Sequence, residues 1–277
     1  MRLAYFGTPE MAVPPLRALV AAGHDVALVV TRVDKRRGRG GELSPSPVKA
    51  AALELGLAVA HSVDDVLGSG VDLGVVVAFG QLIKPHVLAE VPMVNMHFSL
   101  LPRWRGAAPV ERALLAGDAD TGVCLMKLEE GLDTGPIYDT VRMRISKSAT
   151  AGDLRRDLVA LGTEQLIRCL AVPLPHPVPQ QGEPLYAAKI RPAELRVDWS
   201  LPAVQIDRLV RLGGAWTTLR GKRLKMLAVS LGDEGERSPE RPVEGLRLVT
   251  VQPEGKGPMP FADFARGARP QIDEMYQ

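Results

Sequence analysis

Short apolar runs recur through the first 150 residues, and segments with helical spacing separate them. The runs lie at residues 3–6, 26–30, 73–79 and 93–97, with further strand candidates at 122–128 and 137–143. Helical spacing covers 13–20, 47–55 and 107–116, and glycines at 56 and 117 stop the last two. Largely apolar strands alternating with helices predict an α/β fold with a mostly parallel sheet covered on both faces. Such sheets carry their functional residues at the carboxyl ends of strands. The first strand ends in Gly7-Thr8-Pro9, without the spaced glycines of a dinucleotide-binding turn. The expectation is a Rossmann-like sheet lacking the usual nucleotide fingerprint.

The texture changes in the second half. Residues 151–170 have the spacing of one long helix, and prolines at 173, 175, 177 and 179 then predict a stiff extended connection. A helix over 204–212 and short strands at 216–219, 223–229 and 246–251 suggest a small β-rich domain, an OB-like barrel. The expected organisation is therefore 1–171, a connection over 172–203, and 204–277. With five Phe, four Tyr and three Trp in 277 residues, the core must rest on aliphatic side chains and Met. No run approaches the roughly 18 apolar residues of a membrane span, and the N-terminus does not read as a signal peptide. Cys124 and Cys169 lack metal-ligand spacing and read as small buried hydrophobes of a reducing compartment, with no metal site implied.

Chemistry concentrates in two places. Asn95 and His97 are two residues apart in a strand, so their side chains share a face. An amide donor beside an imidazole suits acyl transfer, which needs oxyanion stabilisation and a group that manages a proton. Asp133 sits between Gly131 and Gly135 in a loop joining two strands, where a carboxylate could orient His97. Taken alone, each residue also has a structural reading: a satisfied strand histidine, an amide capping backbone, a turn aspartate. The residue types by themselves go no further than acyl transfer or hydrolysis.

The surrounding motifs are more specific. Asn95-Met-His97, then Ser99-Leu-Leu-Pro-Arg-Trp-Arg-Gly-Ala-Ala-Pro109, Ala116-Gly-Asp-Ala-Asp-Thr-Gly122 and Gly131-Leu-Asp-Thr-Gly135 resemble the methionyl-tRNA formyltransferase family. Phe6-Gly-Thr-Pro-Glu10, Leu43-Ser-Pro-Ser-Pro-Val-Lys49, Tyr186-Ala-Ala-Lys-Ile190 and Gln252-Pro-Glu-Gly-Lys256 extend the resemblance along nearly the whole chain. It implies formyl transfer from 10-formyltetrahydrofolate to the methionine amine of initiator methionyl-tRNA in translation initiation, by a cytoplasmic monomer. It implies Asn95, His97 and Asp133 as the catalytic triplet, and Ser99, Leu100, Leu101 and Pro102 as the segment that holds the folate. Phe79, Leu82 and Ile83 follow the third strand, where they line either the pterin pocket or the core.

Arg32, Lys35, Arg36, Arg37 and Arg39 crowd a Gly-rich stretch that the resemblance turns into a flexible loop reaching the tRNA acceptor end. Residues 208–225 hold further basic residues and no acid, and Lys222 and Arg223 there are expected on a tRNA-backbone platform. Two departures stand out. Phe98 replaces a common Pro, and the second domain is short, with a charged stretch at 230–244 in place of strands. Three alternatives remain on the sequence: a sugar-nucleotide N-formyltransferase, a 10-formyltetrahydrofolate hydrolase, and a catalytically silent RNA-binding module. The arginine-rich loop speaks against the sugar enzyme and the intact triplet against the silent module.

Overall fold

A computed structural model describes residues 1–37, 41–232, 237–271 and 274. Its elements begin with β1 (Arg2–Gly7), α1 (Val13–Ala21), β2 (Asp25–Val30), β3 (Lys35–Arg37), β4 (Glu42–Ser44), α2 (Pro47–Glu54) and β5 (Val59–Ala60). Next come β6 (Leu73–Val77), α3 (Pro85–Glu90), β7 (Met93–His97), α4 (Pro109–Ala116), β8 (Asp120–Lys127), β9 (Ile137–Arg144) and α5 (Ala151–Leu170). The remainder is α6 (Ala203–Leu212), β10 (Trp216–Leu219), β11 (Lys222–Leu231), β12 (Leu246–Pro253), β13 (Met259–Pro260) and α7 (Phe261–Ala268).

These elements form two compact units that do not follow chain order. The first comprises Met1–Val110, Asp120–Arg144 and Arg155–Ala188; the second comprises Glu111–Ala119, Ile145–Leu154 and Lys189–Gln277. Residues 172–188 thus belong to the first unit and 189–203 to the second.

The first unit is built on a seven-stranded sheet in the order β5-β2-β1-β6-β7-β8-β9. The pairs from β5 to β7 are parallel, whereas β8 runs antiparallel to both β7 and β9. Nine residues, 128–136, separate β8 from β9. That is too short for a parallel crossover, so the last two strands close as a hairpin. From β1 the chain moves to β2 on one side and returns to β6 on the other. The switch point therefore lies between β1 and β6, and a crevice forms at the carboxyl ends of the parallel strands there. All five residues of β6 are buried. The strand stops two residues short of the expected end because Ala78 turns to φ 47°. On one face, Phe6 and Phe79 meet edge-on with ring centroids 5.5 Å apart, among Ala4, Val30, Val76 and Val87. Each such side chain contributes about 1.5–3 kcal/mol through burial.

The second unit is a four-stranded antiparallel sheet in the order β10-β11-β12-β13, with β10 and β13 at its edges. Ile206, Leu209 and Val210 form the apolar face of α6 and pack with Leu224, Leu248 and Phe261. No helix is long and apolar enough to cross a membrane among the described residues.

Candidate active site

His97 is the last residue of β7, at the crevice end of the sheet, and it is buried. Its Nε2 donates to the Trp104 carbonyl oxygen at 2.9 Å, and its Nδ1 lies 3.6 Å from Asp133 Oδ2. Both ring nitrogens face oxygens. Asn95, half-buried one pleat earlier on the same face, donates from Nδ2 to Asp133 Oδ1 at 3.4 Å. The Gly106 backbone N–H donates to Asp133 Oδ2 at 2.7 Å. One carboxylate therefore joins Asn95, His97 and the loop after β7.

Local backbone geometry makes this possible. Asp133 adopts φ 51°, a left-handed conformation that Asp tolerates better than most residues. At Gly135 a Cβ would sit 1.8 Å from the Lys127 carbonyl oxygen, so only glycine lets the loop fold back against the end of β8. On the other side Trp104 has φ 67°, which aims its carbonyl at His97. Ser99 is fully buried and its Oγ donates to the Arg103 carbonyl at 2.6 Å, closing the turn.

The structure brings Asn95, His97 and Asp133 together and sets Ser99–Pro102 directly after them. Leu101 packs into a small cluster with Cys124 and Met126. Leu100 lies against β8 at Gly122. Phe79 and Ile83 are core residues, whereas Leu82 between them is 78% exposed beyond β6. The basic stretch differs from the expected loop: Lys35–Arg37 pairs antiparallel with Glu42–Ser44 as a two-stranded hairpin. Charged residues in both strands hid this pairing from apolar periodicity. Lys35 and Arg36 are exposed and Arg32 is half-buried. Arg39 and the Arg37 side chain lie outside the described residues. In the second unit Lys222 is exposed on β11, and the Arg223 guanidinium stacks over the Trp216 ring at 4.2 Å. Both cysteines are buried and free. Among the described residues no group of His, Cys, Asp and Glu could hold a metal ion.

A formyl transferase family model matches residues 1–170, and the model of that family's C-terminal domain matches 189–245. The methionyl-tRNA formyltransferase of Ruegeria pomeroyi is 43% identical to the chain, covering 96% of it and 97% of the relative. That of Streptomyces coelicolor is also 43% identical, with 97% of each covered. The chain belongs to the methionyl-tRNA formyltransferase family. Its reaction is formyl transfer, and the alternation of apolar strands and helices is the formyltransferase scaffold. Among solved structures, methionyl-tRNA formyltransferase from Clostridium thermocellum shares the fold with a TM-score of 0.63, at 14% identity over 93% of this chain and all of that one. HypX from Aquifex aeolicus in complex with tetrahydrofolic acid reaches 0.67 at 16% identity, over 96% of this chain and 47% of that one.

Two parts of this arrangement carry no sequence motif. The Trp104 carbonyl and Gly106 N–H are backbone groups, invisible to side-chain motifs. Gln180 lies in the proline-rich connection, yet its Nε2 donates to the carbonyls of Asp133 and Gly135, both at 2.8 Å. Nothing in its sequence neighbourhood marks it.

Proposed function

We propose that Asn95, His97 and Asp133 carry formyl transfer to the methionine amine of initiator methionyl-tRNA. The observation that carries this reading is the single Asp133 carboxylate reaching both Asn95 and His97 at the end of β7. 10-Formyltetrahydrofolate supplies the formyl group: its C–N bond breaks as the bond to the methionine nitrogen forms, and one proton passes from the amine to the folate nitrogen. Asn95 Nδ2, and His97 Nε2 once it exchanges the Trp104 carbonyl for the substrate, present N–H donors to the charge that grows on the formyl oxygen. Removing one such donor typically costs about 3–4 kcal/mol of barrier. Asp133 fixes the rotamer of His97 and opposes the charge of the ring in its protonated form. No nucleophilic side chain is required, because the substrate brings its own amine.

The exposed Leu82 beyond β6 offers an apolar contact for a flat pterin. Ser99–Pro102, directly after His97, is the folate-holding segment. Phe79 and Ile83 support it from the core. Lys35 and Arg36 on the hairpin, with Arg32, Arg37 and Arg39 around it, are the cations we assign to the acceptor end of the tRNA. Lys222 and Arg223 serve the second unit in the same way. The free buried cysteines suit the cytoplasm, where the tRNA substrate is.

The decisive assay measures transfer from 10-formyltetrahydrofolate to methionylated initiator and elongator tRNA, with His97→Ala beside the wild type. Transfer to the initiator alone, abolished in His97→Ala while tRNA affinity stays within about twofold, is the expected result. Loss of tRNA affinity together with turnover would refute the role given to His97, and formate release without tRNA would favour hydrolysis.

A further inference from the structure

We propose that Gln180 is a positioning residue for Asp133, and that the proline-rich segment is a strap holding the two loops of the site in register. The inference rests on the reading of Asp133 as the group that orients His97. The side-chain amide of Gln180 is fully used. Its Nε2 donates one hydrogen to the Asp133 carbonyl and the other to the Gly135 carbonyl, each at 2.8 Å. Its Oε1 accepts from Arg105 Nε at 3.1 Å and from a terminal guanidinium nitrogen of Arg105 at 2.7 Å. Arg105 lies between Trp104, whose carbonyl holds His97, and Gly106, whose N–H holds Asp133. One amide thus bridges the loop that carries the carboxylate and the loop that receives it.

The flanking backbone anchors the bridge on both sides. Before it, Val178 and Ile137 exchange two N–H to carbonyl bonds of 2.8 Å at the start of β9. After it, Arg105 N–H donates to the Leu185 carbonyl at 2.8 Å, Ala187 N–H to the Arg105 carbonyl at 2.7 Å, and Ala108 N–H to the Ala187 carbonyl at 3.1 Å. Pro173, Pro175, Pro177 and Pro179 keep the approach extended, so the chain loses little entropy on docking. Only an amide carries out this role: a carboxylate has no hydrogen for the two carbonyls, and an ammonium has no acceptor for Arg105.

The test uses the full-length enzyme and steady-state transfer to methionylated initiator tRNA. Gln180→Glu keeps an acceptor for Arg105 and removes both donated bonds; Gln180→Leu removes the whole bridge. A slackened loop should lower kcat on the order of 10- to 100-fold in either variant, with KM for tRNA and for 10-formyltetrahydrofolate within about twofold of wild type. Adding Gln180→Glu to Asp133→Asn should cost no further kcat, because the positioned group is already disabled. If Gln180→Leu does not fold, Gln180→Glu decides. Wild-type kcat in Gln180→Glu, a change confined to KM, or the same loss in both backgrounds would overturn the inference. Full kcat in Asp133→Asn alone would instead sink the underlying reading of the site.

Discussion

At the scale of single residues, environment separates reactive groups from inert ones. Asp133 is held by an amide, a backbone N–H and an imidazole, all on one carboxylate. Cys169 is the opposite case: burial and the nearby Asp139 carboxylate push its thiol up to about 11. Thiolate is then scarce at neutral pH, and the thiol is poorly nucleophilic. Iodoacetamide at pH 7.5, followed by intact mass, should label the native enzyme far more slowly than the urea-unfolded chain. Rapid labelling of Cys169 in the native state would contradict its burial. The residue types at 95, 97 and 133 were legible as acyl-transfer chemistry, because their spacing in a strand and in a glycine-flanked loop survives without coordinates. Gln180 was illegible because it acts across 47 residues on a carbonyl, a partner that carries no sequence label.

Among the elements, the β8–β9 connection and the β3–β4 hairpin matter most. Gly135→Ala places a methyl against the Lys127 carbonyl, and the Asp133 loop must shift to relieve it. The expected cost is about 1–3 kcal/mol in urea unfolding, with a fall in kcat, because the loop that moves carries the Asp133 carboxylate that faces His97. Wild-type turnover in that variant would show that the loop relaxes without moving its carboxylate. Replacing Lys35 and Arg36 by Gln should weaken tRNA binding and flatten the log–log salt slope by about 1–2 units, leaving folate affinity alone. An unchanged slope would remove the hairpin from the tRNA footprint. Apolar periodicity revealed β1, β2, β6 and β7 well, since buried parallel strands are apolar throughout. It missed the hairpin, whose residues are charged on both faces, and α7, whose short amphipathic stretch lies near the end of the chain.

For the whole molecule, the division into units is the feature that sequence concealed most. A Pro-rich stretch invites a cut, yet two stretches that precede it, Glu111–Ala119 and Ile145–Leu154, belong with the C-terminal residues. Within that second unit, Arg112 and the Arg191 backbone N–H hold the Glu194 carboxyl down to about 2, against its ordinary 4.5. A depressed carboxyl stabilises the fold above its unfolded value and loses that contribution as pH falls through about 2. Glu194→Gln should therefore be less stable than wild type at pH 7, by about 1 kcal/mol or less because the pair is partly exposed. Urea midpoints measured down the pH scale should converge below pH 4. A constant gap across that range would mean that the loss is one of packing. The interleaving also sets a timetable for synthesis. Leu115 and the end of α4 leave the ribosome long before α6 exists, and Arg208, which donates to the Ala116 carbonyl, follows 92 residues later. A nascent chain released early therefore displays an uncovered apolar patch and an uncapped helix end. It is an invitation to proteolysis rather than half an enzyme, so finishing translation is itself the quality check on an enzyme that serves translation's first step.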